Sequence, residues 1–180
     1  DDCVRLNEIQ VLGTHNSYHI APEPKILAVL GENARNIEYT HKPLVEQLSR
    51  QGIRKFELDV FADPEGGLYA KPWALQTIQG LDPVGSEMLE PGFKVMHQAN
   101  VDVRSNCVAL KICLQQVRDW SDANPGHVAI MIQIEVKDAG DPANAAELNA
   151  LDAEILSVLP RDKIVTPDDV RGNYDTLGDA

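Results

Sequence analysis

The sequence predicts an α/β chain. Three observations carry that expectation. Short runs with strand alternation, such as FELDVF and IMIQIEVK, are separated by runs with helical spacing, so strands alternate with helices. Gly, Pro and Asn mark the joins, as in SRQG and DANPG. The strands also turn polar toward their C-terminal ends. About four βα units are countable, with a parallel sheet expected. Two architectures fit: an open doubly wound sheet, or the first half of an eight-stranded βα barrel.

NEIQVLGTHN reads as a strand followed by a loop. HKPLVEQLSRQG reads as a helix, with Pro43 near its start and Gly52 as its stop. IRKFELDVF is the second strand. Residues 62–91 are rich in Gly and Pro and lack periodicity, which marks a long functional or disordered excursion. GFKVMHQ is the third strand. ALKICLQQVRDWSDANPG is a helix that ends near Asn124 and Pro125. HVAIMIQIEVKD is the clearest strand. NAAELNALDAEILSVLP is an amphipathic helix, with Leu148, Leu151, Ile155 and Leu159 at helical spacing. The tail offers a short helix start after Thr166 and Pro167.

The 180 residues suggest a single domain, 1–180, and no run of about twenty apolar residues is present. The net charge of −12 argues against a nucleic-acid partner, whose binding needs clustered Lys and Arg. An anionic substrate would need local positive charge, such as a metal ion. Cys107 and Cys113 flank a short segment, which allows either a small disulfide loop or two buried thiols. Cys3 is then free or paired outside the chain. No signal peptide is visible, and the opening DDCVRLN fits a processed or trimmed N-terminus.

Residues two apart on a strand share a face. Glu57 and Asp59 therefore point one way, and Phe56, Leu58 and Val60 the other. Met131, Gln133, Glu135 and Lys137 share a face opposite Ile130, Ile132, Ile134 and Val136. His97 falls at the end of the third strand. His15 and Asn16 lie just past the first. Buried charges are costly unless paired, so an inert core has no need of these acids. One reading is a set of salt bridges with Arg54, Lys55 or Lys137. The other is a site. Asn16, Glu57, Asp59 and Glu135 offer only oxygen, which suits Ca²⁺ or Mg²⁺ better than a soft metal. Two histidines beside a hard cation suit in-line attack at phosphorus, one taking a proton and the other giving one.

GTHNSYH, FELDVF, KVMHQ and IEVKD resemble, in this order, the motifs of phosphatidylinositol-specific phospholipases C, with the best fit to the calcium-dependent microbial branch. The resemblance runs across nearly the whole chain. It implies a (β/α)8 TIM-barrel type fold, of which this chain holds about the N-terminal half. It implies attack by the inositol 2-hydroxyl, giving a cyclic inositol phosphate and diacylglycerol. His15 and His97 resemble the catalytic pair. Asn16, Glu57, Asp59 and Glu135 resemble ligands of calcium, with Mg²⁺ the lesser fit. Lys137, on the face of Glu135, has two readings: a phosphate contact or a salt bridge to a neighbouring acid. The family's members are typically exported, so a secreted or extracytoplasmic protein with transient membrane-surface contact is expected. A full barrel needs roughly 250 residues, so the domain reads as C-terminally incomplete, with further chain or a second chain completing it.

Two rival readings stand beside this one. Glycerophosphodiester phosphodiesterases share the His, Glu-x-Asp, His, Glu-x-Lys order, but GTHNSYH sets this chain apart from them. A non-catalytic, calcium-dependent lipid or headgroup binder is the other. Among the remaining residues, His19 is expected to cap the loop after the first strand. His41, Asp63 and Glu65 are expected to be solvated. His127 is expected to make a structural hydrogen bond. Trp73 has two readings, loop packing or a membrane interface. Tyr18 lines the site mouth or packs.

Overall fold

The computed structural model describes residues 8–137 and 145–179, so Cys3 lies outside the described residues. The chain is mixed α/β. Among the described residues the helices are α1 (Pro24–Leu30), α2 (Leu44–Arg50), α3 (Trp73–Thr77), α4 (Leu110–Ala123), α5 (Ala145–Val158) and α6 (Pro167–Arg171). Strands β1 (Lys55–Phe61), β2 (Lys94–Val95) and β3 (Met131–Val136) form a three-stranded sheet in the order β2-β1-β3.

Strand β1 is the spine because both its faces have work to do. Phe56, Leu58 and Val60 are buried in a core with Leu44 and Leu48 of α2, Leu110, Leu114 and Val117 of α4, and Leu151 and Val158 of α5. Burying such side chains stabilises the fold by about 1.5–3 kcal/mol each. Glu57 and Asp59 take the opposite face, as alternation requires. β3 runs parallel to β1, in a register that sets Gln133 beside Glu57 and Glu135 beside Asp59. The helices expected around Pro43, over 109–126 and over 144–160 are all present, and Thr166 caps α6 through a capping box with Asp169.

Three expectations need correction. The first is the opening strand. Residues 12–17 lie along the edge of β1, but only Gly13 forms a bridge, parallel to Lys55. Leu12 O accepts from Arg54 N and Lys55 N, and Thr14 N donates to Lys55 O. Beyond that, backbone and side chain share the contact: Ser17 N donates to Glu57 O at 3.0 Å, and Ser17 Oγ accepts from Glu57 N at 2.9 Å. Asn16 then turns the chain at φ 48°, a left-handed conformation that Asn tolerates. Gly13 is needed here, since a Cβ would lie 2.8 Å from Lys55 Cδ.

The second correction is the third strand, which is two residues long and antiparallel to β1, pairing Val60 with Val95 and Phe61 with Lys94. It ends before His97, so strand alternation does not aim that ring. The third concerns the excursion, whose disordered alternative falls because the segment is structured. It holds α3, a 3-10 turn over Ser86–Leu89 and a small core of Phe61, Met88 and Met96. Buried Lys94 fastens its two ends. Its Nζ lies 3.0 Å from Asp63 Oδ2 and donates to the carbonyls of Glu90 and Gly92. Asp63, expected to be solvated, is therefore buried in an ion pair, while Glu65 is exposed.

Of the two readings for Cys107 and Cys113, the structure shows the disulfide, with Cα atoms 5.2 Å apart. It is possible because Ala109 is still extended and α4 begins only at Leu110. No helix among the described residues is long and apolar enough to cross a membrane.

Candidate active site

The parallel register of β1 and β3 assembles the acidic cluster. Neighbouring strands lie about 4.8 Å apart, and Glu57, Asp59 and Glu135 bring carboxylate oxygens within 4.8 Å of one another. Glu57 and Asp59 are buried, and Glu135 is open to solvent. Asn16 closes the cluster from the 12–17 segment. Its backbone N donates to Glu57 Oε2 at 2.9 Å, and Gln133 Nε2 donates to Glu57 Oε1 at 3.2 Å. Tyr18 donates its hydroxyl to Asn16 Oδ1 at 3.2 Å, and Asn16 Nδ2 donates to Tyr39 at 3.0 Å. Burial pushes the Tyr18 hydroxyl well up, reinforced by Asp59, so it stays a donor. Tyr18 both packs in the core and reaches the site.

Asp59 is the unusual member. It is 1 % exposed, yet neither of its oxygens accepts a well-directed hydrogen bond. Burial pushes its carboxyl up from the ordinary range, against the pull of Lys137. Lys137 Nζ stands 3.0 Å from Asp59 Oδ2 and 2.6 Å from Glu135 Oε1. Burial would lower this ammonium, but the Glu135 and Asp59 carboxylates outweigh it and hold it above its usual value. The structure thus shows Lys137 in the ion-pair arrangement.

Of the imidazoles, His15 reaches the cluster. His15 is largely exposed, with Nε2 3.4 Å from Glu57 Oε2. His97 Nδ1 lies 2.9 Å from Asp102 Oδ2, across a tight turn in which Gln98 and Asp102 form a bridge. His19, expected as a loop cap, is fully buried. Its Nε2 is 2.8 Å from Asp102 Oδ2, and its Nδ1 faces the Tyr39 carbonyl at 2.9 Å. Burial raises the Asp102 carboxyl, but the hydrogen bonds to His19 and His97 outweigh it and leave it below the ordinary range. His41 is half-buried and bonds the His15 carbonyl at 2.9 Å, so it steadies that loop and is not simply solvated. His127 makes its structural bond, to Ser121 at 2.6 Å.

Sequence reasoning missed Asp102, Tyr39 and the depth of His19. Only Asp102 left a signal, as an acid five residues past His97 in HQANVD.

Three clustered carboxylates, with Asn16 bonded to one of them and His15 beside it, offer an oxygen-rich set that could hold a hard cation. The model of the Ca²⁺-dependent phosphoinositide phospholipase C family matches residues 4–180, and the chain belongs to that family. Among solved structures the chain resembles a calcium-dependent phosphoinositol-specific phospholipase C from Pseudomonas sp., a Gram-negative bacterium. One apo crystal form is 18 % identical with a TM-score of 0.49, over 89 % of this chain and 46 % of that one. A myoinositol complex of the same enzyme is 18 % identical with a TM-score of 0.48, over 89 % and 47 %. This chain therefore spans under half the length of that enzyme. No match was found among the curated proteins.

Proposed function

We propose that the chain carries the catalytic part of a calcium-dependent phosphodiesterase that cleaves phosphatidylinositol-type lipids to diacylglycerol and a cyclic inositol phosphate. The observation that carries this reading is the cluster of Glu57, Asp59 and Glu135 within 4.8 Å. A buried carboxylate is costly unless paired, and Asp59 has only the half-buried Lys137 ammonium as its counter-charge. An oxygen-seeking cation removes that cost, so the residues fit calcium, with Asn16, Glu57, Asp59 and Glu135 as its ligands. Bound there, the ion would neutralise charge on the phosphoryl oxygens. His15 and His97 move the protons, one from the attacking hydroxyl and one to the leaving glycerol oxygen. Lys137, freed from the carboxylates by the ion, reaches the phosphate.

Three further parts of the reading rest on the fold. β1 and β3 are the parallel seed of a βα barrel, within one phospholipase domain that includes residues 1–180. The outer side of β3 supports this. Ile130, Ile132 and Ile134 line a groove of about 690 Å³ with Ile155, Leu159 and Leu177, and a further helix of the barrel's outer ring, from more chain or a second chain, would cover it. Leu68, Trp73 and Leu89 are exposed on the excursion and would touch the lipid surface. The disulfide fits an oxidising, extracytoplasmic setting.

Titration calorimetry with Ca²⁺ and Mg²⁺, and phosphorus NMR of the products, test the reading. Calcium binding lost in Asp59→Asn, together with a cyclic product, is the expected result. No binding of either ion would sink the metal site. A phosphomonoester formed without a cyclic intermediate would turn the reading to a glycerophosphodiester phosphodiesterase.

A further inference from the structure

We infer that Asp102, clamped by buried His19, is the positioning residue that fixes the tautomer of His97. This rests on the phosphodiesterase reading, because it concerns how His97 is made ready for proton transfer.

Asp102 is fully buried and serves two rings. Its Oδ2 lies 2.9 Å from His97 Nδ1 and 2.8 Å from His19 Nε2. A carboxylate only accepts, so His97 carries its proton on Nδ1 and presents Nε2 as the nitrogen free for chemistry. The His97 side chain is only 19 % exposed, and its ring meets that of His19 edge-on at 6.0 Å.

His19 has no freedom to do anything else. Its Nδ1 faces the Tyr39 carbonyl, an acceptor, so that nitrogen is protonated. Its Nε2 faces a second acceptor, the Asp102 carboxylate. Both ring nitrogens are thus engaged, the ring and the carboxylate are fully buried, and Asp102 cannot swing away from His97. Tyr39 stacks on His19 at 4.4 Å and His41 packs on Tyr39 at 5.3 Å, which closes the rest of the shell. The turn over 98–102 also holds Asp102 through backbone bonds, with His97 N and Gln98 N donating to Asp102 O.

The test is nitrogen NMR of the protein labelled at histidine, with turnover and calcium affinity measured alongside. The expected result is an Nδ1–H tautomer for His97 that switches to Nε2–H in Asp102→Asn, whose amide can donate to Nδ1. Turnover then falls by about 100-fold or more, and calcium affinity stays within threefold. His19→Gln, which can still donate to Asp102, should keep the tautomer and lose at most about tenfold in turnover, a rescue that His19→Phe does not give. This pair keeps the inference testable where Asp102→Asn fails to fold. An Nε2–H tautomer in the unmutated protein would overturn it, as would turnover unchanged in Asp102→Asn. Stoichiometric zinc uptake abolished by Asp102→Asn would also overturn it, since His19, His97 and Asp102 would then be a metal centre. A tautomer that switches as expected, in a protein with no turnover on any phosphodiester, upholds the positioning and overturns the phosphodiesterase reading instead.

Discussion

Gln47 lies outside the site, yet it holds the segment that carries His15 and Asn16. It projects from α2, is fully buried, and donates to Ser17 O at 2.7 Å and Lys42 O at 2.6 Å. Its Oε1 accepts from the Thr14 hydroxyl at 2.8 Å. Gln47→Leu keeps the volume, so no cavity forms and the loss is polar. Three hydrogen bonds at roughly 1 kcal/mol each give a destabilisation of about 3 kcal/mol. For a chain of this size that lowers Tm by about 6–12 °C. The loosened loop should also weaken calcium binding by about tenfold, in line with other residues that orient metal ligands. Urea unfolding measures the first effect and calorimetry the second. A loss below about 1 kcal/mol with unchanged calcium affinity would refute the idea that Gln47 staples the site loop.

Other outcomes follow from single contacts. His15→Ala and His97→Ala should each abolish turnover while calcium binding survives; loss of calcium binding in both would recast them as ligands. Cys107→Ser opens a loop of sequence separation 6, and the chain-entropy relation puts the cost at about 2 kcal/mol, readable as a lower urea midpoint under non-reducing conditions. Glu154 accepts from Phe93 N, and burial pushes its carboxyl up from the usual value. A carboxyl raised in the fold binds protons more tightly than in the unfolded chain, so stability falls as pH rises from about the ordinary carboxylate value of 4.3. Glu154→Gln should make that decline shallower across pH 4–7, and an identical slope in urea midpoints would reject the assignment. Lys137→Met should raise calcium affinity and lower turnover together; weaker calcium binding would show that the ammonium does not compete for the carboxylates.

The parts legible in the sequence are those set by periodicity. Alternation placed Glu57 and Asp59 on one face of β1 and Glu135 and Lys137 on one face of β3, and parallel pairing then made them neighbours. The helices were legible for the same reason. The opening segment was not, because Asn16 and Ser17 meet β1 through a turn and a mix of backbone and side-chain bonds that carry no period. Two-residue β2 was overextended because an apolar run says nothing of strand direction or of where pairing stops. His19 meets Asp102 across 83 positions, and nothing local marks that meeting. Asp63 looked like a loop acid because its partner, Lys94, lies across the whole excursion.

Lys137, between Asp59 and Glu135, gives the chain a placeholder cation of its own. The fold can therefore assemble before any ion arrives, without two bare carboxylates repelling each other at its centre. On the proposed reading, loading with calcium is an exchange: one tethered positive charge leaves as a mobile one enters. Such a site gains only the difference between two favourable interactions. It should fill at the abundant calcium levels found outside cells and stand empty, though not disordered, where calcium is scarce.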